Sequence, residues 1–129
     1  MEALNIEATE DTPKIYFEPD VDIYQIEGKS LPEHAIDFYQ PVFEWAKNFF
    51  NSNEVSSKFI INFKLDYFNT ASSKQIAKLF RIIEESPASE KVTIKWFYDE
   101  EDVDMLKAGK RYEKLMKLKY TFEAVSEDD

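Results

Sequence analysis

The residues best equipped for chemistry are few. The 129-residue chain has no cysteine, one histidine and two glycines. Thiolate nucleophiles, thiolate metal sites and disulfides are therefore excluded. His34 lies near the start of an amphipathic segment, and no surrounding pattern would hold it as a general base, so it reads as a surface helix residue. With glycine only at Gly28 and Gly109, neither a phosphate-cradling loop nor a dinucleotide fingerprint can be written. Two polar clusters remain. Asp99, Glu100, Glu101, Asp102 and Asp104 follow an apolar run. Carboxylates at a strand end could hold magnesium, but a linear run converges only in part, and anions also suit a helix N-terminus. The second cluster is Asn69-Thr70-Ala71-Ser72-Ser73-Lys74, three hydroxyls and a lysine between a strand-like run and a helical pattern. Locally this is an ordinary N-cap. The carboxyl edge of a parallel strand is also where α/β domains carry their working groups.

The elements that would position these clusters follow from apolar periodicity. Lys14–Glu18 and Ile23–Glu27 read as a hairpin turned at Pro19-Asp20 and ended by Gly28. Ser30-Leu31-Pro32-Glu33 has the form of a capping box. Ile36, Tyr39, Val42, Phe43, Ala46, Phe49 and Phe50 then recur at helical spacing, with Pro41 predicting a kink. Phe59–Phe68 reads as a long strand, apolar on both faces as if covered on both sides. A second helix opens at Asn69-Thr70, is carried by Ile76, Leu79, Phe80 and Ile83, and stops before Pro87. Val92–Tyr98 is the fourth strand. A third helix follows, with Asp99 to Asp104 in its first turn, lysines and Arg111 in its second half, and Leu106, Tyr112, Leu115 and Met116 turned inward. Tyr120–Val125 closes the chain. The order β-β-α-β-α-β-α-β predicts a single α/β domain over residues 1–129, with a mostly parallel sheet and an antiparallel hairpin at one side. The polar ends, 1–11 and 126–129, are expected to fray.

Hydrophobic residues make up 43% of the chain and aromatics 16%, enough to fill a core without staples. The first residues lack the basic and apolar regions of a signal peptide, and no apolar run approaches the roughly 20 residues that cross a bilayer. The formal net charge of -10 opposes binding to nucleic acid or anionic membrane. A cytoplasmic protein is expected. Phe68 and Tyr98, near strand ends, are the expected aromatics of a partner-facing rim.

Five blocks in order carry a family resemblance: Thr12–Phe17, Gly28–Glu33, Phe38–Trp45, Tyr67–Lys74 and Trp96–Asp102. Together they resemble the SiaC-type regulatory phosphoproteins of bacteria. The resemblance implies a fold similar to anti-sigma factor antagonists (STAS-like) and a non-enzymatic partner-switching role in cyclic di-GMP signalling and biofilm regulation, without a cofactor. A protein kinase would phosphorylate the chain and a metal-dependent, PP2C-type phosphatase would reverse it. The unphosphorylated form would bind and activate a diguanylate cyclase. The family's phosphothreonine falls on Thr70, flanked by Asn69, Ala71, Ser72, Ser73 and Lys74 as the expected contact surface. Ala71 replaces a usual serine, and Leu31 and His34 replace a usual tyrosine and asparagine. Competing readings are a receiver-like domain phosphorylated on Asp66 or in the Asp99 cluster, a small metal-dependent enzyme using Asp99–Asp104, and a plain scaffold.

Overall fold

Alternation along the strands determines where the core lies. On the long strand Phe59–Phe68, Phe59, Ile61, Phe63 and Leu65 are buried, while Ile60 is 47% exposed and Asp66 is open to solvent. Side chains of a strand point alternately to its two faces, so the sheet has one covered face and one open face. Cover on both sides, expected from the apolar run, is not what forms. The even-numbered residues Asn62, Lys64 and Asp66 make the second face polar.

The computed structural model describes residues 2–126. The elements are β1 (Leu4–Ile6), β2 (Lys14–Glu18), β3 (Ile23–Ser30), α1 (Ala35–Phe50), β4 (Phe59–Phe68), α2 (Thr70–Glu84), a 3-10 turn (Ser89–Lys91), β5 (Val92–Asp99), α3 (Val103–Leu115) and β6 (Lys119–Val125). The six strands lie in sequence order in one sheet. β1, β2 and β3 pair antiparallel, and β3 to β6 pair parallel. This is the predicted single α/β domain with a mixed sheet. The helices pack on the face that buries Tyr24, Phe63 and Trp96: Tyr24 meets Trp45 and Phe49 of α1, Phe63 meets Phe80 of α2, and Trp96 meets Tyr112 of α3. A sheet wound in one direction by right-handed crossovers stacks its helices on one side in this way.

Several local expectations change. β1 is an added edge strand within the polar N-terminal segment, held beside β2 and strapped by Trp45 Nε1 donating to the Glu2 carbonyl at 2.8 Å. At the other end, residues 127–129 of the expected frayed tail lie outside the described residues. Gly28 does not end β3. Its φ of 110° sits beside a register shift at which Gly28 and Lys29 face Leu65 and Tyr67, so Asp66 is the extra residue of a bulge. The bulge changes the phase of β4, leaving Tyr67 54% exposed and turning Phe68 edge-on to Trp96 at 6.1 Å. The strand therefore runs on to Ser30, and α1 starts only after His34, whose side chain makes no capping bond. The capping box does not form, because Ser30 is still extended and its hydroxyl is engaged elsewhere. α1 runs as one helix across Pro41. Asp99 ends β5 and Asp102 caps α3, so only Asp104 of the acidic run lies in that helix's first turn. Ile36 and Leu115, expected inward, are 67% and 71% exposed.

Gly109 allows α3 to seat against the sheet. A Cβ there would stand 2.6 Å from Trp96 Cδ1 and 2.8 Å from Phe122 Cε1. Trp96 is fully buried and donates from Nε1 to the Met105 carbonyl at 3.0 Å, so its indole cannot swing aside. Gly109→Ala is expected to lower stability by at least about 1 kcal/mol, the overpacking outweighing the gain in helix propensity. A lower urea midpoint at unchanged slope is the expected reading.

Candidate functional site

The site forms where β3 and β4 end and α2 begins. A helix start leaves four backbone amides without intrahelical partners. Here two of them are satisfied: Asn69 N donates to the Ser30 carbonyl at 3.1 Å, and Ser72 N donates to Asn69 Oδ1 at 2.8 Å. Asn69 is thus the N-cap, in extended conformation, as the sequence pattern requires. The amides of Thr70 and Ala71 have no protein partner among the described residues. The first turn of α2 carries no acid, and Lys74 stands one turn further on. The positive end of the helix dipole is left open to an anion.

The three hydroxyls of the motif have different fates. Ser72 is fully buried, and its Oγ donates to the Ser30 carbonyl at 2.9 Å. Ser30, also fully buried, donates from Oγ to Ser72 Oγ at 2.8 Å. The remaining bond, 2.7 Å between Ser30 Oγ and Tyr39 Oη, must then run from the tyrosine to the serine. The resulting relay joins α1, β3 and α2, and each of its hydroxyls is satisfied. Ser73 is half-buried. Tyr112 Oη of α3 donates to the Ser73 carbonyl at 2.8 Å, so Ser73 Oγ donates back to Tyr112 Oη at 2.9 Å. Thr70, in contrast, is exposed and its hydroxyl has no protein partner among the described residues. It is the motif's one hydroxyl that is presented to solvent.

The other predicted residues divide. Ala71 and Lys74 are exposed beside Thr70, while Asn69 is half-buried. Ser72 is removed from any contact surface by its burial, a correction to the expected set. Phe68 is half-buried against the core. Tyr98, opposite Ala124 across β5 and β6, is also half-buried and borders a concavity of about 910 Å³ with Lys64, Asp66 and Phe97. Residues 69–74 do not line that concavity. In the acidic run, Asp99 Oδ1 accepts from Glu101 N at 2.8 Å and Asp102 Oδ1 accepts from Met105 N at 3.0 Å. Among the described residues no three histidine, aspartate or glutamate side chains converge as metal ligands. Ser30, Tyr39 and Tyr112, which anchor the site, escaped sequence reasoning as site residues. Ser30 read as a cap, and both tyrosines lay on helical stripes typical of core.

The relay predicts two measurable effects. Ser72→Ala strands the Ser30 hydroxyl without its acceptor in a dry place, which is expected to cost about 1–3 kcal/mol in denaturant titrations. Combined with Tyr39→Phe, the loss should be less than additive, because both changes break one network. The second effect concerns pH. Burial pushes the Tyr39 hydroxyl from its ordinary 10.0 up to about 12. The unfolded chain then ionises first, so stability should be level below about pH 10 and fall as pH rises towards 12. Urea midpoints taken from pH 8 to pH 11 should show that decline, and Tyr39→Phe should reduce its slope.

Comparison with known proteins agrees with this architecture. No curated protein sequence matches the chain. The crystal structure of apo-SiaC from Pseudomonas aeruginosa superposes with a TM-score of 0.84 at 22% identity, covering 96% of this chain and 100% of that one. A chain in the crystal structure of diguanylate cyclase SiaD in complex with its activator SiaC, also from Pseudomonas aeruginosa, gives 0.84 at 21% identity, covering 95% and 99%. These likenesses establish the fold. The model of the SiaC family regulatory phosphoproteins matches residues 6–126, so the chain belongs to that family.

Proposed function

We propose that this chain is a non-enzymatic, cytoplasmic partner switch controlled by reversible phosphorylation of Thr70. The carrying observation is the unequal use of the three motif hydroxyls: Ser72 and Ser73 are committed to the fold, and Thr70 is exposed at an open helix N-terminus. A kinase needs a hydroxyl it can reach, and the added phosphate needs surroundings that tolerate charge. Thr70 meets both conditions. Phosphate would add about 1.5–2 negative charges at pH 7, next to two unpaired amides and the positive end of the dipole. The domain itself can therefore carry the modification with little strain.

The effect falls on a partner. Asn69, Ala71 and Lys74 surround Thr70 and form the contact surface, with Phe68 and Tyr98 as its flanking aromatics. A target that packs a neutral hydroxyl against its own surface would meet an uncompensated charge after phosphorylation. Breaking an interface in that way costs about 2–5 kcal/mol, or a ~30-fold to several-thousand-fold loss in affinity. The target class is a diguanylate cyclase, which the unphosphorylated form binds and activates. Support comes from family membership and from the relative solved as the activator of the cyclase SiaD. A protein kinase and a PP2C-type phosphatase complete the cycle.

Thr70→Ala is expected to bind the target constitutively, and Thr70→Glu to bind at least about 30-fold more weakly, as read by titration calorimetry. The melting temperature of both variants should stay close to that of the parent protein. Equal target affinity for all three proteins would remove Thr70 from the switch.

A further inference from the structure

The phosphosite continues into a second feature. Thr70, Ser73, Lys74 and Ala77 are spaced i, i+3, i+4 and i+7, and so form one stripe along α2. Beyond Thr70 this stripe becomes one wall of a shallow groove of about 190 Å³ between α2 and α3. The opposite wall is Ala108, Arg111, Tyr112 and Leu115. The two alanines keep the floor low, so the backbone of a docked segment can come close. Leu115 stands at the edge with 71% of its surface exposed, a large apolar side chain with nothing packed over it. Lys74 and Arg111 supply positive charge from either wall, and neither is held in an ion pair among the described residues. The Ser73–Tyr112 bond pins the two walls together, so the groove is a fixed feature of the fold.

Charge selects the occupant. α2 and α3 together carry seven lysines and arginines against three acids, a local excess of +4. The whole chain is -10, so everything outside these two helices sums to -14. The net charge therefore favours an acidic segment along α2 and α3 over the rest of the molecule taken together. We propose that the α2–α3 groove docks an acidic amphipathic helix of the target, its small apolar stripe on Ala77, Ala108 and Leu115 and its carboxylates on Lys74 and Arg111. Helix-in-groove recognition uses this combination of apolar anchors and flanking charge. Resting on the proposed Thr70 switch, the groove also explains release. A phosphate on Thr70 stands one helical turn from Lys74, where side chains at i and i+4 come within about 5–6 Å at their Cβ atoms. It draws Lys74 away from the partner's carboxylates and repels them directly.

The test uses the full chain and two synthetic 18-residue peptides with the same leucine–alanine stripe. One has glutamates on its polar face, the other has lysines. The acidic peptide is expected to bind, to shift the amide resonances of Ala77, Ala108 and Leu115, and to lose affinity as salt is raised. The lysine peptide is expected not to bind. The exposed double reversal Lys74→Glu with Arg111→Glu should weaken the acidic peptide about tenfold or more. Leu115→Ser, also at the surface, should weaken it without altering the melting temperature. Equal binding of both peptides, no binding of either, or resonance shifts confined to the open sheet face would overturn the docking proposal. Loss of target binding by Thr70→Glu while the groove variants bind target normally would also overturn it, yet leave the phosphorylation switch standing. Binding of the acidic peptide unchanged by Thr70→Glu would overturn the release step.

Discussion

The site depends on one buried chain of hydroxyl hydrogen bonds. Tyr39 donates to Ser30, Ser30 to Ser72, and Ser72 back to the Ser30 carbonyl. Each of these groups is fully buried, so each must be paired or lose the solvation it had in water. The arrangement of α1, β3 and α2 pairs them all. The Asn69 amide adds a fourth bond to this network, the second that the Ser30 carbonyl accepts, and ties the end of β4 to that of β3. The start of α2 is thereby held from two sides, and Thr70 is presented from a rigid base.

The sheet supplies the setting for that clamp. Its helices lie on one face, and all the parallel strands deliver their carboxyl ends to one edge. The bulge at Asp66 changes which side chains turn inward just before the helix begins. Phe68 is thereby set against Trp96, whose indole also fixes α3 through Met105 and Gly109. The aromatic core and the hydroxyl relay thus meet within a few residues of Thr70. Ser73 and Tyr112 extend the same anchoring to α3. Two adjacent serines bind α2 to its neighbours on opposite sides, and the threonine before them is left exposed to solvent.

Charge is distributed along similar lines. Cations concentrate on the two helices that flank the site, while the rest of the molecule is strongly acidic. Among the described residues five lysines lie over aromatic rings: Lys14 over Tyr16, Lys64 and Lys95 over Phe97, Lys78 over Phe43 and Lys110 over Phe122. Lys74 and Arg111 have no such ring contact among the described residues, and they face the groove.

Much of this was legible in the residue order. Helical spacing of Ile76, Leu79, Phe80 and Ile83, the Asn69 cap and the strand run Phe59–Phe68 are local patterns, and local sterics and hydrogen bonding decide them. They were enough to put Thr70 at the junction of a strand and a helix. The family blocks added which hydroxyl to watch. What stayed hidden was non-local. Ser30 has the form of a cap in sequence, yet its partner Ser72 lies 42 positions away, and Ser73 meets Tyr112 across 39. Whether Ile36 and Leu115 are covered, and whether the second sheet face is, depends on which elements arrive to cover them. Sequence alone determined the strand and helix that meet at Asn69 and the place of the candidate hydroxyl between them. Only the tertiary structure decided which hydroxyls are consumed, because a buried polar group is satisfied by whatever the fold brings beside it, not by its neighbours in the chain.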